Sequence, residues 1–222
     1  MSPKSTMIFV TILTLAGLAL FALAPGIDLA AARAFFRDGV FIAAGSPAGD
    51  VARTVFWDAP YVALAFCLGA YALRRSGRIT RGPDGRAVIF LIATLALGPG
   101  LLLNGLLKEH TGRPRPVLTD QFGGEWAFRP FYKVDGECPT NCSFPSGETG
   151  ASAWTLAPAL LTPPPARPYA VAAALVLTLA TAVLRMAFGG HYLSDVTLAA
   201  LFIILVVLAG YRWYCRGGSR WM

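Results

Sequence analysis

Six apolar runs, each nearly free of charge, occupy about Met7 to Ala24, Thr54 to Leu73, Ala87 to Leu107, Ser146 to Leu161, Tyr169 to Ala187 and Leu193 to Tyr214. A helical run of about 20 apolar residues matches the hydrocarbon thickness of a bilayer, whereas a soluble core scatters its apolar residues at helical or strand periods. Charged residues make up only 14% of the chain, against roughly 25% in a soluble domain. The runs predict an all-α, polytopic membrane protein, a six-transmembrane-helix bundle forming one domain over residues 1–222. No separate soluble domain fits beside six spans in a chain of this length.

The net charge is +7, which in a soluble protein would suggest nucleic acid as a partner. Here the charges sort by membrane side, so no nucleic acid is expected. Arg74, Arg75, Arg78, Arg81 and Arg86 crowd one short loop, and basic residues resist translocation, which makes that loop cytoplasmic. The same side then holds Lys4, Arg167, Arg212, Arg216 and Arg220, ten basic residues against one acid, Asp84, while the other side has nine basic and eleven acidic residues. Both termini are accordingly expected in the cytoplasm, and the polar stretch Lys108 to Pro145 in the periplasm or an equivalent exterior. A signal peptide competes for the first run, because Ala22-Leu23-Ala24 imitates a cleavage site. Pro25 disfavours cleavage there, and cleavage would leave the other spans oriented as before. Trp57, Tyr61, Tyr211 and Trp213 suit an interfacial belt. Segment Leu29 to Ala44 reads either as an interfacial helix or as a loop helix packed on the bundle.

Cys138 and Cys142 lie four apart in the exterior stretch, where an oxidising compartment lets them pair as a disulfide. A metal-binding pair is the alternative, with His110 the one other ligand type nearby. Cys67 and Cys215 fall in apolar runs and are expected to be buried.

Ionisable residues at membrane depth are costly, so each calls for a reason. Four groups stand at the exterior ends of the last four spans: Lys108 with Arg113 and Arg115, then Ser146-Gly147-Glu148, then Arg185, then His191 with Asp195. Singly, each has a structural reading: Lys108 snorkelling, Arg185 paired to an acid, His191 bonded to Asp195, a turn starting a helix. Together, cations, a helix start, a histidine and carboxylates suggest a phosphate site.

Their spacings are Lys108-x6-Arg115-Pro116, Pro145-Ser146-Gly147-Glu148 and Arg185-x5-His191-x3-Asp195. This pattern resembles the type 2 phosphatidic acid phosphatase superfamily, which includes bacterial lipid phosphatases and the vanadium haloperoxidases and carries Lys-x6-Arg-Pro, Pro-Ser-Gly-His and Ser-Arg-x5-His-x3-Asp. Glu148 stands where the family has a histidine, and Leu184 where it has a serine. The resemblance implies that His191 is a nucleophile forming a phosphohistidine, with Asp195 hydrogen-bonded to its other ring nitrogen. Lys108, Arg115, Arg185 and the Ser146 and Gly147 N–H groups would bind the phosphate oxygens. Glu148 takes the place of the leaving-group acid, with His110 a substitute. No cofactor or metal is required, although Glu148, His191 and Asp195 around a divalent ion form an alternative.

A pocket at the exterior membrane face suits a membrane lipid phosphate embedded in the lipid bilayer, and no obligate protein partner is evident. The candidates are lipid A phosphate, phosphatidylglycerol phosphate, phosphatidic acid and polyprenyl diphosphate. Lipid A phosphate is favoured because residues 141–148 resemble the corresponding stretch of bacterial lipid A phosphatases. The expected activity is a phosphoric monoester hydrolase of the bacterial inner membrane. A phosphotransferase of the same superfamily and a non-enzymatic lipid-binding or transport protein are the alternatives.

Overall fold

A computed structural model describes residues 3–216; Arg220, counted above on the cytoplasmic side, lies outside the described residues. The chain is mainly helical. Helix α1 is Pro3–Leu23, α2 Gly26–Arg33, α3 Pro47–Arg75 and α4 Gly85–Leu95, the last continued by a π-helical stretch Ala96–Leu107. After the short α5 (Lys108–Thr111) comes a polar connecting stretch with two 3-10 turns, then α6 (Gly147–Trp154), α7 (Leu156–Leu161), α8 (Arg167–Ala187) and α9 (Leu193–Arg216).

Among the described residues, five helices are long and apolar enough to cross a membrane: Lys4–Leu23, Pro47–Arg75, Gly85–Leu107, Arg167–Ala187 and Leu193–Arg216. The sixth expected crossing, about 146–161, is instead pinched at Thr155 into α6 and α7. Pro158 explains this, since its ring lacks an N–H and crowds the carbonyl of Trp154 four residues earlier. The Thr155 hydroxyl donates to the Ser152 carbonyl at 2.6 Å and its N–H takes the same acceptor at 3.0 Å, closing a tighter turn.

Helix α3 begins seven residues before the apolar run suggested. Ser46 caps it, accepting from Gly49 N–H at 3.1 Å, and Pro47 occupies the first turn, where a missing N–H costs nothing. This early start brings Arg53 inside the helix. The stretch Leu29 to Ala44 is not one helix. It is α2 followed by a small hairpin pairing Phe36–Arg37 with Val40–Phe41, turned by Asp38 and Gly39, whose φ values of 52° and 81° suit a two-residue type I′ turn.

Helix α9 is the central element, packed by α1, α4, α6, α7 and α8. The helices approach closely where side chains are small. A Cβ on Gly210 would lie 2.6 Å from Thr94 Cγ2, and one on Gly150 2.2 Å from Leu103 Cδ1, so glycine sets both crossings. Phe90, Leu103, Trp154, Ile203 and Val207 fill the core, and the one polar atom of Trp154 is satisfied, Nε1 donating to Thr94 Oγ1 at 3.0 Å. Outward surfaces are apolar too: Ile8, Ile12 and Leu15 on α1, Val62 and Phe66 on α3, Val176 and Leu179 on α8 are all exposed. A chain with apolar residues on both faces of its helices is built for lipid, not water.

Candidate functional site

The start of α3, the end of the π-helical stretch, the start of α6 and the end of α8 converge on a cavity of about 200 Å³ whose walls carry four cations, Arg53, Lys108, Arg115 and Arg185, one carboxylate, Glu148, and the imidazole of His191. Sequence reading anticipated five of these six. Arg53 is the exception, because it stands one residue before the apolar run that opens at Thr54. The signal was present, since Arg53 belongs to a helix of membrane-spanning length, where a charge needs a partner.

Each cation is placed by its own local structure. Lys108 follows the π-helical stretch, in which Pro99 cannot donate a backbone hydrogen bond and Asn104 Nδ2 donates to its carbonyl at 2.7 Å. Lys108 has no ion-pair partner among the described residues, and burial, then the charges of Arg115 and Arg185, lower its pKa. Arg115 sits between Pro114 and Pro116, which hold it extended, and its Nε donates to the Asn141 carbonyl at 3.1 Å. Arg185 is buried in the last turn of α8, its Nη1 3.5 Å from Glu148 Oε1 and its Nε unpaired among the described residues. A Cβ on Gly190 would lie 2.6 Å from Arg185 Nη2, so that glycine makes room for the guanidinium.

His191 is buried, and its Nδ1 lies 2.6 Å from the Ser143 carbonyl oxygen. A carbonyl can only accept, so Nδ1 carries the proton and the lone pair resides on Nε2. The expected bond from His191 to Asp195 is absent: Asp195 Oδ2 stands 3.7 Å from Nδ1. Asp195 instead accepts from Ser143 Oγ at 2.5 Å and from Tyr192 N–H at 2.8 Å. It orients the histidine indirectly, by fixing the segment whose carbonyl receives the ring proton. Burial pushes the pKa of His191 down to about 4, Asp195 offsetting part of that shift and Arg185 adding to it. At neutral pH the ring is uncharged.

Arg113, grouped with the site cations on sequence, turns away from the cavity. Its side chain is fully buried; Nη2 donates to Asp28 Oδ2 at 2.7 Å, Nε to the Arg129 carbonyl at 2.8 Å, and Nη1 to Ser194 Oγ at 2.8 Å and to Asp195 Oδ1. The Tyr192 ring covers it at 4.3 Å. Asp28 in turn accepts from Ser194 N–H at 2.8 Å and Oγ at 2.6 Å. This network ties α2, the polar connecting stretch and the start of α9 together, one guanidinium being shared by two buried carboxylates. Neither the partnership of Asp28 nor its burial was legible in sequence, because 85 residues separate it from Arg113.

Ser146 also differs from expectation. Its N–H donates to the Asp195 carbonyl at 3.2 Å, and its Oγ caps α6, accepting from Thr149 N–H at 3.4 Å, so Ser146 shapes the helix start and offers its N–H elsewhere. Gly147 does line the cavity. A Cβ there would meet Asn104 Oδ1 at 2.8 Å, so only glycine lets the helix start come this near the wall. Glu148 is gripped by Arg53, whose Nη2 donates to Oε1 at 2.7 Å while Nε reaches both carboxylate oxygens at 3.2 Å. With Arg185 also nearby, these guanidinium groups favour the carboxylate over the carboxylic acid. His110, the alternative proton donor, bonds through Nδ1 to the Leu106 carbonyl at 2.7 Å and is not among the cavity-lining residues.

Cys138 and Cys142 are joined, with Cα atoms 5.7 Å apart. The adjoining backbone is pinned to the motif loop by Cys138 N–H to Gly112 O at 3.0 Å and Ser143 N–H to Arg113 O at 2.8 Å. Cys67 is buried, whereas Cys215 is exposed, contrary to expectation. Among the described residues, no cluster of three or more His, Cys, Asp or Glu is arranged to hold a metal ion.

No solved structure matches this chain. A lipid A 4'-phosphatase of Rhizobium leguminosarum is 37% identical over 208 residues, covering 86% of this chain and 89% of that protein. A lipid A 4'-phosphatase of Rhizobium etli is 36% identical over 208 residues, covering 86% and 80%. One from Francisella tularensis subsp. novicida is 36% identical over 121 residues, 54% of each chain. The PAP2 superfamily model matches residues 86–218, the segment that supplies every cavity residue discussed above except Arg53. By that match, which spans more than half its length, and by its relatives, the chain belongs to the PAP2 superfamily.

Proposed function

We propose that this protein is an integral membrane lipid phosphatase that hydrolyses a phosphate monoester from a lipid headgroup at the periplasmic face, with lipid A phosphate as substrate. The observation that carries the reading is a neutral, tautomer-fixed His191 on the wall of a cavity holding four cations and a single carboxylate. Such a site attracts a phosphate dianion and presents a nucleophile to it. The names of the relatives support the choice of lipid.

In this scheme Nε2 of His191 attacks phosphorus, the bond to the lipid oxygen breaks, and water later releases phosphate from the phosphohistidine. Lys108, Arg115, Arg185 and Arg53 hold the equatorial oxygens, where transition-state charge resides. Glu148 starts as an ion-paired carboxylate. A bound phosphate dianion draws Arg53 and Arg185 toward itself and adds negative charge nearby, both of which raise the proton affinity of Glu148. The carboxyl then carries the proton that the leaving alkoxide needs. Purified full-length protein should release inorganic phosphate from lipid A phosphate. Transfer of the phosphoryl group to a second lipid would make it a phosphotransferase, and no loss of phosphate would leave a binding protein. In the same assay Glu148→Gln should slow the lipid ester far more than an aryl phosphate, whose phenol leaves without help. An equal loss on both would remove Glu148 from the proton-transfer step.

Periplasmic orientation and cytoplasmic termini require an even number of crossings, so we read α6 and α7 together as the sixth. The exposed Val134 and Thr80 then lie on opposite sides of the membrane. In a variant lacking the exposed Cys215, Val134→Cys should react with an impermeant maleimide in spheroplasts. Thr80→Cys should react only after lysis; the reverse pattern would invert the topology.

A further inference from the structure

A second chamber of about 290 Å³ lies beside the cationic cavity, lined by Asp50, Arg53, Thr54, Trp57 and Glu148. Arg53, Trp57 and Glu148 border both spaces, so the Arg53–Glu148 ion pair lies at their boundary. Residues 50, 53, 54 and 57 recur at the spacing of one helix face, and they share it because α3 starts at Pro47 rather than within the apolar run.

The two chambers differ in chemistry. The inner one is dominated by positive charge. The outer one offers a carboxylate at Asp50, a hydroxyl at Thr54 and an indole at Trp57, beside an acid and a guanidinium that are already paired. A second phosphate, as in a diphosphate lipid, would be repelled by Asp50. An acyl chain would gain nothing from a carboxylate and a hydroxyl. A sugar ring suits this set: its C–H face packs on an indole, and its hydroxyl or amine groups donate to carboxylates.

We infer that Asp50, Thr54 and Trp57 form a sugar-reading subsite, seating the pyranose that bears the phosphate while that phosphate occupies the inner cavity. This rests on the lipid-phosphatase reading and adds to it the residues that select a glycolipid over a glycerolipid. The competing account of Trp57 is an interfacial anchor packed beside Tyr61, ring centroids 5.8 Å apart. An anchor serves every lipid substrate equally.

The test compares kcat/KM of full-length protein in detergent micelles on lipid A phosphate and on phosphatidic acid. The glycolipid-to-glycerolipid ratio should fall about tenfold in Trp57→Leu and in Asp50→Asn, the size of one lost aromatic or hydrogen-bonding contact. Asp50 is an exposed residue on the first turn of α3, so its isosteric replacement keeps the test alive if the tryptophan variant fails to fold. An unchanged ratio, whether activity falls equally on both lipids or stays the same, overturns the subsite and leaves the phosphatase reading standing. If the unaltered protein turns over only the glycolipid, the expected result is that phosphatidic acid turnover appears in the variants, and its failure to appear counts against the subsite; no turnover of both lipids by the unaltered protein overturns both readings.

Discussion

Replacing His191 with alanine should reduce lipid phosphate hydrolysis roughly a thousandfold or more, about 4 kcal/mol of transition-state stabilisation. The other uncharged side chains lining the cavity, Asn104, Asn141 and Trp57, carry no nucleophilic lone pair of comparable strength. Lys108 is the one amine there, and it shares the cavity with three guanidinium groups that compete for the same phosphate oxygens. Removing the histidine therefore eliminates the covalent step itself, and the remaining cations can only bind phosphate. The fold should survive, because the ring is held by one backbone carbonyl. Acid-labile, alkali-stable phosphate trapped on the unaltered protein and absent from His191→Ala would identify the intermediate. Retention of more than about a tenth of the activity, a loss of only about 1.4 kcal/mol, would refute the mechanism. Since burial lowers the pKa of His191 to about 4, its protonation should not set the acidic limb of kcat/KM until the pH approaches that value. An imidazole free in water would already be protonated near pH 6.5. The shift also has a stability consequence. Between about pH 6.5 and 4 the unfolded chain takes up a proton that the folded ring refuses, so this residue makes the fold progressively less stable as pH falls through that window.

The second large effect concerns folding. Arg113→Met should destabilise the protein by about 3–5 kcal/mol, because it leaves two buried carboxylates, Asp28 and Asp195, without their shared counter-charge. It also strands the Arg129 carbonyl that accepts from Arg113 Nε. Arg113→Lys should fall between, since an ammonium restores charge but cannot span two carboxylates, a hydroxyl and a carbonyl in one plane. Unfolding monitored in detergent micelles measures both. A melting temperature unchanged in Arg113→Met would show that the network contributes nothing to stability. Activity should also fall, because Asp195 holds Ser143, and Ser143 supplies the acceptor for the His191 ring proton.

These two residues show what kind of information each level carries. His191 is legible as a candidate from the spacing Arg185-x5-His191-x3-Asp195 taken together with the two motifs before it. That spacing spans one helix end, a short turn and the first turn of the next helix, all neighbours along the chain. Arg113 lies in an equally basic motif and was grouped with the site cations, yet it faces the other way. Nothing in Lys108-x6-Arg115 distinguishes a guanidinium that meets phosphate from one that bridges two acids far off in sequence.

Arg53 and Glu148 make the same point from the opposite direction. Glu148 was visible as a departure from the family pattern, but its ion-paired state depends on a residue 95 positions earlier. Hydropathy, which acts locally along the chain, is enough to identify the membrane class and the long apolar helices, and the motif spacings single out Lys108, Arg115, Arg185, Glu148 and His191 as candidates. Only in the packed bundle do those five meet in one cavity, with Arg53 completing it, Arg113 and Asp28 bracing it from behind and Asp195 bonded to Ser143. Each of those assignments depends on which side chains from distant segments satisfy one another once water is excluded, and buried charge pairing is a property of the packed bundle as a whole.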